Sequence, residues 1–214
     1  QLPIRDRSDR LTTSFLAVLD KEGDPAGIKR AHEHALYDIQ FLADGRLVSV
    51  GMTKPEPGQA PEGKNQVRIW DLKTMQPSLD WMLDESLPAG CSAAFTPGGE
   101  TMVTVQHGLV AIWDVKTQKI VRKIEGLTFW NPMYAAVAID PLGKYVAVDD
   151  RNNYVRIWEL ATGQPHLTTG QHHLGRVIGL SWSPDGQTIA TGDSMGELRT
   201  WNADALDAAT RERI

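Results

Sequence analysis

A chain of 214 residues with 41% hydrophobic and 23% charged side chains can bury a sizeable core. Its formal net charge of −5, with Lys and Arg scattered rather than clustered, disfavours a nucleic-acid binder, which carries a basic face. No apolar run approaches the roughly 18 residues of a membrane span, no signal-peptide pattern opens the sequence, and the single cysteine, Cys91, excludes an internal disulfide and favours a cytoplasmic location.

In chain order, the first predicted element is a strand at Phe15–Asp20, followed by a Pro/Gly turn over Lys21–Gly27 and a second strand near 27–31. Two apolar runs then flank Asp44-Gly45 between Ile39 and Ser49. That is a hairpin pattern, because Gly supplies the positive φ of the turn. Residues 52–66 are rich in Pro, Gly and polar side chains and read as an inserted loop, solvated unless a partner engages it. A strand follows at Val67–Leu72, with a turn at Lys73–Gln76. The same order then recurs three times. Hairpin Ala93–Thr104 precedes strand Val110–Val115, hairpin Val137–Val148 precedes strand Val155–Leu160, and hairpin Leu180–Thr191 precedes strand Leu198–Ala203. A weaker fourth run, such as Lys119–Ile124, follows the strand. The second copy closes early, through His107-Gly108, and the tail 204–214 has the composition of a short helix.

The recurring strand carries one tryptophan: Trp70, Trp113, Trp158 and Trp201, spaced 43, 45 and 43 residues apart. A period of that size marks a stacked or radial repeat array. Each unit is a four-stranded antiparallel meander. Its strands are almost continuously apolar near the tryptophan, so each sheet is expected to be covered on both faces, as in a propeller.

These residues resemble the WD40 family of β-propellers. Trp70-Asp71 and Trp113-Asp114 match its name-giving dipeptide, Trp158-Glu159 and Trp201-Asn202 come near it, and Ser183-Pro-Asp-Gly186 is its commonest hairpin turn. The resemblance implies an all-β, WD40-like propeller of about 4 to 4.5 blades. The repeats fall at about 32–75, 88–118, 132–163 and 173–203, with a half blade at 12–31 in which Leu19 takes the tryptophan's place. Such a count is short of the usual ring. The expectation is a partial propeller, completed by further blades of the same or another chain; a compact four-blade closure is the alternative.

The family's hydrogen-bonded tetrad joins a His, a Ser or Thr, an Asp and the blade Trp. Carried over, the hydroxyl position falls on Ser49, Thr104 and Thr191, with Val148 in the third copy. The Asp position falls on Asn152 and Met195, and His34 and His172 or His173 suit the histidine. No copy is complete by this count. His32-Glu33-His34 and His172-His173 invite a metal reading, but no third ligand stands at a characteristic spacing, so no metal and no cofactor is expected. No nucleophile elbow or phosphate-binding glycine loop occurs, and Cys91 reads as a small buried residue; the chain is expected not to be an enzyme.

Propeller geometry directs a binding site to one rim, where loops between second and third strands meet the loops joining blades. That rim collects the 52–66 loop, His107, Arg151 and Met195, and the connection 126–134 with Phe129, Trp130 and Tyr134. Aromatics and Arg are common interface anchors; the rings could equally pack beneath the loop. The function expected is a non-catalytic scaffold presenting this rim to a protein partner, with no nucleic acid and no membrane. The alternative is a sensor or regulatory propeller whose effector part lies outside this chain.

Overall fold

The structure, a computed structural model, describes residues 14–19, 25–54, 63–83, 91–106, 108–125, 135–150, 152–169 and 172–203; for 14–19, 25–29 and 167 it describes the backbone alone. The tail expected to be helical therefore lies outside the described residues. All seventeen regular elements described are strands. None of the described helical residues forms a segment long and apolar enough to cross a membrane. The chain divides into two compact units, Gln1–Ile39 with Arg46–Ala89, and Gln40–Gly45 with Gly90–Ile214.

Strands β1 (Ser14–Leu19) and β2 (Pro25–His32) form a two-stranded sheet. A four-stranded sheet follows from β3 (Leu36–Phe41), β4 (Leu47–Met52), β5 (Asn65–Asp71) and β6 (Gln76–Met82). The next contains β7 (Ser92–Phe95), β8 (Thr101–Gln106), β9 (Leu109–Asp114) and β10 (Lys119–Ile124). The third four-stranded sheet is β11 (Val137–Ile139), β12 (Tyr145–Asp149), β13 (Val155–Glu159) and β14 (Pro165–Thr168). The last has three strands, β15 (Val177–Trp182), β16 (Thr188–Asp193) and β17 (Leu198–Asn202). Every sheet is an antiparallel meander, and the fold is all-β.

Local geometry repeats as faithfully as the tryptophans do. The first hairpin of each copy turns through a glycine with positive φ: Gly45 at 85°, Gly99 at 80°, Gly143 at 69° and Gly186 at 72°. The pairing of third and fourth strands slips by one residue beside the tryptophan, leaving Trp70 opposite Pro77 and Trp158 opposite Pro165. The same slip leaves Leu19 opposite Pro25, so Leu19 holds the tryptophan's register in the two-stranded sheet.

Apolar strands arise because one sheet serves two cores. In β12, Val146 and Val148 pack with Val103, Val105, Val110 and Ile112 of the preceding sheet, whereas Ala147 between them packs with Ile189 of the following one. In β13, Trp158 joins the first cluster and Val155 and Ile157 the second. Side chains alternate across a strand, so covering both faces removes the polar half of the pattern. Each of these residues is 5% exposed or less, and each buried Val or Ile contributes on the order of 1.5–3 kcal/mol. In the other unit, Ala31, Leu47 and Trp70 form a smaller core with Leu72 against it.

The inserted loop is shorter than its composition suggests. Met52 pairs with Asn65 and Gly51 with Gln66, so residues 65 and 66, expected in the loop, belong to β5. Both are 2% exposed. The Gln66 side chain is buried because it has partners inside, as the next section describes.

Candidate functional site

The blade tryptophans are anchored by the hydroxyls on the neighbouring strand. Trp70 Nε1 donates to Ser49 Oγ at 2.8 Å, Trp113 Nε1 to Thr104 Oγ1 at 2.9 Å, and Trp201 Nε1 to Thr191 Oγ1 at 2.9 Å. These are the expected positions. In the third copy Val148 stands there, fully buried, and packing replaces the hydroxyl.

In the first copy the histidine is His32, not His34. The His32 ring lies 2.9 Å from Ser49 Oγ through Nε2 and 3.1 Å from Gln66 Oε1 through Nδ1. Gln66 Nε2 donates to Asp80 Oδ1 at 2.7 Å, and Asp80 pairs with Arg68 at 2.9 Å. Arg68 in turn donates to the Ala31 carbonyl at 2.7 Å. The chain of bonds runs from a buried indole to the surface and leaves both ring nitrogens satisfied. Gly51 makes the space: a Cβ there would meet the His32 ring and the Ala35 carbonyl. Burial pushes the His32 pKa down to about 4, although the Gln66 bond opposes this, so the ring is neutral at physiological pH.

In the third copy the turn is organised by Asp150 rather than Asn152. Asp150 Oδ1 accepts the N–H groups of Asn152 and Tyr154 at 2.8 and 3.2 Å, and its Oδ2 pairs with Arg156 at 2.7 Å. Its neighbour Asp149 accepts the Ala136 N–H and is 4% exposed. Burial drives the Asp149 carboxyl up to about 7, against the Ala136 bond and the Arg176 charge.

The fourth copy needs one aspartate for both tasks. Asp193 Oδ1 accepts the N–H groups of Met195 and Glu197 at 3.0 and 2.8 Å, and Oδ2 accepts the Gly175 N–H at 2.9 Å. Burial raises its pKa, but these backbone donors prevail and hold it below the ordinary carboxylate range. His173 Nε2 lies 2.6 Å from Thr191 Oγ1, and its Nδ1 faces Asp193 Oδ2 at 3.5 Å. His173, Thr191, Trp201 and Asp193 thus assemble all four residue types. The expectation that no copy carries a complete hydrogen-bonded tetrad stands: the Asp193 carboxylate faces the ring without bonding it, since His173 Nδ1 has no hydrogen-bond partner.

Of the rim candidates, Phe129, Trp130, Tyr134, His107 and Arg151 lie outside the described residues. Met195 is 73% exposed in the β16–β17 turn. The structure adds three neighbours that the motifs did not mark: Leu174 at 75%, Ile178 at 59% and Leu198 at 75% exposure. The segments carrying Leu174 and Met195 are tied by the Gly175–Asp193 bond and by Ser194 N donating to Arg176 O at 2.8 Å. Leu198 sits opposite Gly192, beside the Val177–Asp193 pair. Four exposed apolar side chains therefore gather at one end of the last sheet.

A family model described as WD domain, G-beta repeat matches residues 163–202. The matched span takes in β14 together with β15, β16 and β17, so the sequence repeat is offset by one strand from the sheet. The chain thus carries one matched WD40 repeat, and its other antiparallel sheets repeat the same register, an arrangement consistent with part of a WD40 propeller. It is similar to Protein LST8 homolog of Drosophila melanogaster, 25% identical over 146 residues, which cover 65% of this chain and 46% of that one. It is also similar to anaphase-promoting complex subunit cdh1 of Dictyostelium discoideum, 27% identical over 145 residues, 64% of this chain and 18% of that one. The chain thus spans less than half the length of these relatives.

Proposed function

We propose that this chain is a non-catalytic interaction module whose blades present a rim to a protein partner, alone or together with further blades. The observation that carries this reading is the cluster of Leu174, Ile178, Met195 and Leu198, each 59% exposed or more, at the loop end of the last sheet. Large apolar side chains grouped in solvent mark an interaction surface, and a sheet held by repeated anchors keeps them in place. One relative is by name a subunit of a multiprotein complex, which supports the same direction.

The test is affinity capture from cells with three baits: the parent chain, a Leu174→Asp/Met195→Asp variant, and a Val121→Asp control on β10, whose Val121 is 59% exposed. Partners captured by the parent and the control but lost from the rim variant support the reading. Equal capture by all three baits refutes the rim, and capture of nothing refutes the scaffold.

A further inference from the structure

His32 and His173 occupy equivalent places, and both are 1% exposed or less. They differ at the second ring nitrogen. Four residues before Trp70 stands Gln66, which bonds His32 Nδ1; four residues before Trp201 stands Glu197. His173 Nδ1 lies 3.5 Å from Glu197 Oε2 and 3.5 Å from Asp193 Oδ2. Neither His173 Nδ1 nor Glu197 Oε2 has a hydrogen-bond partner, although both atoms are buried. The three donor atoms all lie within 4.8 Å of one another.

A separation of 3.5 Å exceeds the roughly 2.7–3.2 Å of an N–H···O bond. It does fit two ligands of one ion: bonds of about 2.0–2.2 Å place tetrahedral ligand atoms roughly 3.3–3.6 Å apart. We propose that His173, Asp193 and Glu197 bind one divalent transition-metal ion of the Zn2+ type beneath the β16–β17 turn. One imidazole and two carboxylates suit such a cation, and the two negative charges neutralise it where burial would otherwise penalise charge.

The surroundings hold the ligands as a metal site requires. The Thr191 oxygen has two lone pairs, so besides accepting from Trp201 Nε1 it has room to accept from His173 Nε2, and the tautomer that donates there leaves the Nδ1 lone pair for the ion. Asp193 is fixed by three backbone N–H groups, and Glu197 Oε1 is held by Arg199 at 2.8 Å. The Glu197 side chain is 35% exposed, so ion and water enter from that side and water fills the fourth position. A bound ion would tie the β16–β17 turn, with Met195 on it, to the entry of β15.

The experiment is Zn2+ titration of EDTA-stripped protein by calorimetry, with metal content after desalting and the visible spectrum of the Co2+ form. One equivalent is expected in the parent chain and in His172→Asn, which alters an exposed neighbouring histidine. Glu197→Gln restores the His–Gln arrangement of the first copy and so keeps the fold. Its loss of affinity should exceed the roughly 10–100-fold caused by removing an outer-shell partner. Zn2+ should raise the thermal midpoint of the parent but not of Glu197→Gln. Absent binding, equal binding by Glu197→Gln, or loss with His172→Asn overturns the proposal. Should Glu197→Gln fail to fold by circular dichroism, nitrogen-15 spectra of the parent decide. Zn2+ must then shift His173 Nδ1, and an unmoved resonance is fatal to the site.

Discussion

Replacing Asp149 by Asn should stabilise this protein at neutral and alkaline pH. Asp149 is 4% exposed, and its carboxyl is raised from 3.8 to about 7, chiefly by burial. The native state therefore holds a proton between about pH 4 and 7 that the unfolded chain has released, so stability falls as pH rises through that window. A difference of about 3 units at 1.36 kcal/mol each is about 4 kcal/mol, fully lost above about pH 7. Asn is neutral, nearly the same size, and its carbonyl oxygen can still accept the Ala136 N–H. The Arg176 charge favours the anion, and its effect is already contained in that net shift. Urea unfolding of both proteins at pH 4 and pH 8 reads the effect. Little difference is expected at pH 4, and about 2–4 kcal/mol in favour of Asn at pH 8. A pH-independent difference, or a less stable Asn variant at pH 8, would falsify the burial argument.

Three further outcomes follow from the anchors. His32 works in the opposite sense: its pKa falls from 6.5 to about 4, so its contribution is complete above pH 6.5 and lost on acidification toward 4. A His32→Gln variant should flatten the stability profile by about 3 kcal/mol across that window; an unchanged slope refutes a buried neutral ring. Thr104→Val removes the acceptor of Trp113 Nε1 while keeping the shape, and should cost about 1–3 kcal/mol in urea midpoint analysis. If the midpoint holds, packing alone anchors the indole, as Val148 already implies for the third copy. Gly51→Ala drives a methyl into the His32 ring and the Ala35 carbonyl, and should cost about 1–3 kcal/mol in thermal unfolding. The same substitution made with His32→Ala should cost much less, since part of the obstacle is gone.

Much of this architecture is local and therefore legible in the chain itself. The tryptophan period, the turn glycines and the alternation of strands need only neighbouring residues to be read, because positive φ and the two-residue period of a strand are local constraints. Ser49, Thr104 and Thr191 follow from that register, and so does the gap at Val148. The places where spacing pointed to the wrong residue share a pattern. His34 stood for His32, Asn152 for Asp150 and Met195 for Asp193, each two residues from the group that makes the bond. All three expected positions lie beyond a strand end, His34 after β2 and Asn152 and Met195 in the turns after β12 and β16, where the two-residue period of a strand no longer fixes which side chain points inward. The choice falls to distances across the sheet. Gly51 leaves room for one imidazole, and the β16–β17 turn brings the Asp193 carboxylate to Gly175. The same holds for Gln66, polar in sequence and buried because His32 and Asp80 receive it. His173, Asp193 and Glu197 converge only because a loop, a strand end and a turn meet in space. The sequence alone determined the repeat and its anchors, whose rules operate over a few bonds. Tertiary structure decided which polar atoms face each other, since that depends on ångströms between strands far apart in the chain.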